Sequence, residues 1–206
     1  MYSVINTYQQ AIISAIPRRD VAEYDWLVQN VAQANTQSYQ RRYSRFWLMG
    51  RVPGNFVLPY FAALSVAIQQ PPPLGNLCQT LSQYSTRSNG VQTLQFSFAT
   101  KLLHMVQPQL PIYDSRVCRF YLFEQNPPTK QSLQQRTNRL LGFYSFLSAE
   151  YARVINGNLL SNAIAAFRQH FQPQQHSDVK IVDWLIWALV GLADDGALLK
   201  RQIVYV

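Results

Sequence analysis

Lys101 lies inside Phe96-Ser97-Phe98-Ala99-Thr100-Lys101-Leu102-Leu103-His104-Met105-Val106, an otherwise apolar stretch with helical spacing, and Asp114 follows after a segment interrupted by Pro108 and Pro111. An amine in apolar surroundings must reach water, find a counter-ion or give up its proton. The prolines cannot continue the helix, so the chain reverses or turns aside and returns Asp114 near the lysine at the start of the next helical pattern. There the orphan amides and the helix dipole keep a carboxylate ionised. An ionised aspartate beside a lysine can orient the amine, and a lysine that loses its proton is a nucleophile. His104 stands three residues from Lys101 on the same helical face, either as a hydrogen-bonding group in a cleft or as a packing residue with a satisfied nitrogen. The same spacing also fits a routine N-cap aspartate and a structural ion pair.

The cations carry a second kind of chemistry. The 206-residue chain has 18 Lys+Arg against 10 Asp+Glu, a formal charge of +8, and such a field favours polyanions. Only four of the cations are lysine and fourteen are arginine, whose planar fork suits phosphates and base edges. Arg116 and Arg119, on the helix after Asp114, lie closest to the lysine and are the expected phosphate contacts, with Ser115 assisting through its hydroxyl or amide. Arg41 and Arg45, one turn apart in Arg41-Arg42-Tyr43-Ser44-Arg45-Phe46-Trp47, can track a phosphate backbone while Tyr43 or Trp47 stacks on a base. In the alternative, Tyr39, Tyr43, Phe46 and Trp47 face the core and the arginines form a solvated face.

The elements that position these residues are all helical. Val4, Ile5, Tyr8, Ile12 and Ile16 recur at steps of three and four up to Pro17, and Asp20 with Glu23 resembles a capping box for a second helix. Further helices are expected over residues 36–49, 55–69, 74–84 and 92–106. Asp114 or Ser115 caps one running to Phe123, Thr129 a long one, Asn158 another, and Asp178 the last, with a short extended tail at 203–206. The segment Gln69-Gln70-Pro71-Pro72-Pro73 is the one stiff linker and divides the chain into lobes of about 1–70 and 74–206 within a single domain. No strand alternation of useful length occurs, so the fold is all-α.

Composition excludes several classes. Hydrophobic residues make up 48% and charged residues 14%, a folded rather than disordered profile. Residues 181–193 are strongly apolar but carry Asp183 and fall short of the ~20 residues a membrane span needs, so they read as a buried helix and no membrane partner is expected. Cys78 and Cys118 lack metal-ligand spacing and no secretory segment precedes them, which points to two reduced thiols in a cytoplasmic protein. Three scattered histidines add no metal motif, and neither metal nor cofactor is expected.

The lysine helix, the proline turn and the hydrophobic-aromatic-Asp sequence entering a helix resemble the lysine-bearing branch of the helix-hairpin-helix DNA glycosylase superfamily. Phe98-Ala99-Thr100-Lys101-Leu102-Leu103-His104 with Pro111-Ile112-Tyr113-Asp114-Ser115-Arg116-Val117 is similar to bacterial proteins with the 8-oxoguanine DNA glycosylase fold. The resemblance implies two helical lobes flanking a cleft faced by lysine and aspartate. It further implies attack by Lys101 on C1′ of a damaged nucleotide flipped from duplex DNA, with Asp114 helping to deprotonate the amine and balancing charge on the sugar. A Schiff base follows, and strand-cleaving lyase activity can accompany base removal. The chain departs from the family in having Ser88-Asn89-Gly90-Val91 and nine further residues before Lys101 where a glycine-rich turn would hold a phosphate. Its interval from Lys101 to Asp114 is also shorter, and two cysteines cannot hold a four-cysteine iron-sulfur cluster. A nucleic-acid-binding or protein-interaction module that kept the fold without the reaction is the other functional class these residues fit.

Overall fold

The computed structural model describes residues 2–50, 52–85, 93–125 and 131–194. The 86–92 segment with the Ser88-Asn89-Gly90 loop, Arg51, the 126–130 segment with Thr129, and the tail expected at 203–206 lie outside the described residues. Among the described residues there are eleven α-helices, one 3-10 turn and no strand. They are α1 (Tyr2–Thr7), α2 (Gln9–Ser14), α3 (Arg18–Gln29), α4 (Gln37–Phe46), α5 (Gly54–Gln69), α6 (Leu74–Ser82), α7 (Phe96–Val106), α8 (Ser115–Phe120), α9 (Leu133–Asn156), α10 (Ser161–Phe171) and α11 (Asp178–Asp194). The all-α expectation holds.

Several helix starts differ from the sequence reading: α7 begins at Phe96 and not at 92, and α9 is capped by Ser132 with Gln135 and not by Thr129. Pro17 (φ −67°) sets the entry to α3, so Asp20 falls inside its first turn and pairs with Arg19 instead of capping. Ser177 Oγ accepts the Lys180 amide at 3.1 Å and so caps α11, which frees the Asp178 carboxylate for Arg168 at 2.7 Å. Asn158 closes α9 and does not open α10: at φ 55° it lets the Leu159 amide reach the Val154 carbonyl at 2.9 Å.

The same closure ends α4 and α8 with leucine in the position that favours glycine. Leu48 (φ 56°) allows Met49 N to bond Ser44 O at 2.7 Å, and Leu122 (φ 55°) allows Phe123 N to bond Cys118 O at 2.7 Å. Both leucines are left on the surface, 86% and 88% exposed. The closure at Leu122 stops α8 three residues short of the expected Phe123.

Helix α11 is the hub. Its apolar faces bury Ile181, Leu185, Ile186 and Leu189 against α8, α2, α10, α9 and α1. Helix α7 packs against α6, α5 and α3, and α3 packs against α4. The packing does not divide at the proline segment: α5 lies against α6 and α7 beyond it, while α1 and α2 lie against α10 and α11. Lobes of 1–70 and 74–206 therefore cut through both sets of contacts, and one cluster of buried side chains runs through the molecule. No described helix is long and apolar enough to cross a membrane.

Candidate active site

The turn between α7 and α8 is fastened by four side-chain hydrogen bonds to its backbone, and these carry Asp114 back toward α7. Ser177 Oγ donates to Pro108 O at 2.6 Å, His104 Nδ1 to Leu110 O at 2.6 Å, and Tyr144 Oη to Pro111 O at 2.9 Å. Thr100 Oγ1, fully buried, accepts the Tyr113 amide at 3.2 Å. That last bond ties the neighbour of Lys101 to the neighbour of Asp114. Asp114 then caps α8, its Oδ1 accepting from Val117 N at 2.8 Å. Ser115 is the first residue of α8 and is exposed.

Thr100→Val keeps the side-chain shape and leaves the Tyr113 amide without its acceptor. The expected cost is about 1–3 kcal/mol, read as a lower urea midpoint at an unchanged m-value. An unchanged midpoint would mean that the turn is held by its other three bonds.

Lys101 is half-buried, with Nζ 5.4 Å from the Trp47 ring centroid and 5.6 Å from that of Phe98. It makes no hydrogen bond or ion pair among the described residues. Burial pushes its pKa below the usual lysine value and the charge of Lys180 adds to this, while Asp114 and Asp183 act the other way. The amine and the carboxylate that the sequence singled out thus belong to one electrostatic neighbourhood.

That neighbourhood holds a second amine and a second carboxylate that sequence reasoning missed. Lys180 and Asp183, one turn apart on α11, are 2% and 4% exposed and joined at 2.7 Å from Nζ to Oδ2. Lys180 Nζ lies 4.5 Å from the Trp184 ring, 5.1 Å from Tyr24 and 5.3 Å from Trp47. Burial raises the Asp183 pKa above the ordinary carboxylate value, against the opposing charge of Lys180. Asp183 Oδ1, Trp47 Nε1 and Trp184 Nε1 are buried with no hydrogen-bond partner. Buried polar atoms are normally paired, and these three exceptions gather around Lys180. The available signal was a lysine and an aspartate at i, i+3 in a helix otherwise apolar from 179 to 193.

His104 is a packing residue. It is fully buried, and because the Leu110 carbonyl can only accept, Nδ1 carries the hydrogen and Nε2 accepts from Tyr24 Oη at 2.7 Å. Burial holds its pKa down to about 3, so the ring is neutral. His176 is neutral for the same reason, at about 4, and its Nδ1 donates to Asp25 Oδ1 at 2.9 Å. Cys78 and Cys118 are pushed up to about 12 and about 11 by burial, which removes them as nucleophiles at neutral pH.

The arginines separate into two groups. Arg116 stacks on Trp187, 3.8 Å from guanidinium carbon to ring centroid, and Nη1 donates to the Trp187 carbonyl at 3.2 Å. Arg119 pairs with Asp194 at 2.5 Å. Both expected phosphate contacts are therefore engaged with the C-terminal half of α11. Arg41 and Arg45 are exposed on α4 and form no ion pair among the described residues, whereas Arg42 between them is held by Glu23 and lies 3.5 Å over Trp26. Tyr39 and Tyr43 are fully buried and Trp47 nearly so, so α4 faces its rings inward and its arginines outward.

A separate pocket of about 210 Å³ is lined by Ser97, Tyr113, Gln125, Arg136 and Arg139 together with apolar side chains. No metal-binding group of His, Cys, Asp and Glu occurs among the described residues. In comparison with known proteins, the chain matches no family model, no curated protein and no solved structure.

Proposed function

We propose that this chain is a DNA glycosylase-like protein that removes a damaged base with the Lys101 amine as nucleophile. One observation carries the reading: a half-buried lysine with no fixed partner, its proton affinity lowered by burial, lies within the electrostatic reach of an aspartate that caps the next helix from a fastened turn. An amine nucleophile needs those properties, because a direct ion pair would keep it protonated and open solvent would leave its proton affinity high.

In the proposed reaction the Nζ lone pair attacks C1′ of the flipped nucleotide, the bond from C1′ to the base nitrogen breaks, and the base departs with the bonding pair and takes up a proton. Asp114 faces the positive charge that develops on the sugar. Nζ then gives up one proton to water and its lone pair forms the C=N bond as the C1′–O4′ bond breaks and O4′ takes up a proton; the protonated Schiff base is hydrolysed by water, or loses a C2′ proton and expels the 3′ phosphate. Trp47 and Phe98 supply the dry surroundings that favour the neutral amine. The outward arginines Arg41 and Arg45 and the net charge of +8 supply the attraction to a duplex backbone. Those two exposed arginines equally support a module that binds nucleic acid without reacting, and in that reading binding weakens with salt and is indifferent to Lys101.

Borohydride trapping on duplexes carrying 8-oxoguanine, uracil or an abasic site tests the reaction. We expect a covalent adduct on a damaged-base duplex that is lost on Lys101→Ala, with the melting temperature of the variant equal to or above that of the parent, because a partly buried amine without a hydrogen-bond partner is gone. An adduct that persists in Lys101→Ala, or none on any damaged base from folded protein, would refute Lys101 as the nucleophile on these lesions.

A further inference from the structure

Two amines share one indole in this protein and have unequal access to carboxylates. Trp47 lies 5.4 Å from Lys101 Nζ and 5.3 Å from Lys180 Nζ, so the two nitrogens fall within about one Debye length of each other, ~10 Å at 0.1 M salt. Asp183 meets Lys180 directly at 2.7 Å. Asp114, the other carboxylate in the neighbourhood, has Oδ1 committed to the amide of Val117.

We propose that Lys180, ion-paired with Asp183 and sharing the Trp47 indole with Lys101, is the positioning residue that sets Lys101 apart as the reactive amine. The consequence for catalysis rests on the reading of Lys101 as a nucleophile. Lys180 is 2% exposed, meets Asp183 directly and is flanked by the Tyr24, Trp47 and Trp184 rings. Lys101 has two rings near it and no such pair, and its partial exposure gives the proton a route to water. When an N–H bond of the Lys101 ammonium breaks, the proton passes to solvent and the electron pair stays on Nζ. The fixed charge of Lys180 favours that release by repulsion.

The charged groups around Lys101 agree with this division. Helix α8 contributes Asp114, and α11 contributes Lys180 and Asp183. On α3, Asp25 is occupied by His176 and by the amides of Gln174 and Gln175, while Glu23 is occupied by Arg42. His104 on α7 and His176 are neutral at pH 7. Helices α5 and α6 contribute no charged side chain. Repulsion between the amines is thus set against two carboxylates, of which only Asp183 is paired with an amine.

Competitive acetylation of the intact protein with acetic anhydride across pH 6 to 11, with Lys101 followed by peptide mass spectrometry, reads the protonation of this amine without DNA. In Lys180→Gln the midpoint of Lys101 reactivity is expected to rise by about one pH unit, which lowers labelling at pH 8 roughly tenfold. Where circular dichroism shows that variant unfolded, the pair replacement Lys180→Met with Asp183→Leu decides. It is expected to move the midpoint in the same direction by less, because Lys180 influences Lys101 more than Asp183 does. A midpoint unchanged or lowered in the folded variant overturns the proposal. Trapping by the parent protein with an unmoved midpoint leaves the glycosylase reading standing and removes Lys180 from it. A raised midpoint in a protein that traps nothing leaves Lys180 tuning an amine whose reaction is not base excision.

Discussion

Taken from pH 7 to pH 4, the protein is expected to lose about 3 kcal/mol of folding stability through His104 alone. In the folded chain its proton affinity is held down to about 3 by burial, against an ordinary value of 6.5. Below pH 6.5 the unfolded chain takes up a proton that the folded chain refuses. Stability is therefore complete above pH 6.5 and falls with pH until the folded value is reached. His176, held down to about 4 chiefly by burial, loses stability over the upper part of the same window. Asp183 acts in the opposite sense, since its raised affinity lets the folded state bind a proton first. Against a total of about 5–15 kcal/mol for a domain, the histidines bring the chain near unfolding in mild acid. Thermal melts at half-unit steps from pH 7 to pH 4 should show a steep fall that is flattened in His104→Asn. A melting temperature flat to pH 4.5 would contradict the neutral, buried assignment of these rings.

Asp183→Leu is expected to cost about 3–5 kcal/mol, because it strands the Lys180 ammonium among three aromatic rings. For a chain of this size that is roughly a 10 °C fall in melting temperature. Replacing both partners, Lys180→Met with Asp183→Leu, should recover most of the loss. A buried ion pair contributes little net stability over apolar residues of similar volume, yet breaking one leaves a charge uncompensated. The double-mutant cycle therefore predicts a large favourable coupling between two individually damaging changes. If the double change costs as much as the sum of the singles, the two residues do not act as a pair. Recovery would also bear on function, since a charged pair that stability does not need is retained for another reason.

The helical class and the placement of Asp114 were legible because they depend on local rules: apolar spacing of three and four, and an aspartate before the first turn of α8. Lys101 was legible as an oddity for a similar reason, being one of four lysines and set in an apolar run. Lys180 and Asp183 carry the same kind of oddity on α11, but their meaning depends on the fold bringing Lys180, with Asp183 paired to it, to the Trp47 ring. That is a contact between residues more than a hundred positions apart, and periodicity does not report it. Arg116 and Arg119 show the converse. Their proximity to Asp114 was visible, but Trp187 and Asp194, which engage them, come from α11. The cap at Ser177 went unread because two adjacent residues, Ser177 and Asp178, both suit an N-cap, and only the side chain of Arg168 decides between them.

The placement of α1 and α2 against α10 and α11 sets an order on how the chain can be completed as it is made. Ile5, Ile12 and Ile13 are at most 1% exposed in the finished fold, but their partners are translated about 150 or more residues after them. A ribosome adding roughly 5–20 residues per second leaves those isoleucines uncovered for something like ten to thirty seconds. Throughout that interval the apolar faces of α1 and α2 are open to a holdase that favours apolar helices, and α10 and α11 are the elements that displace it.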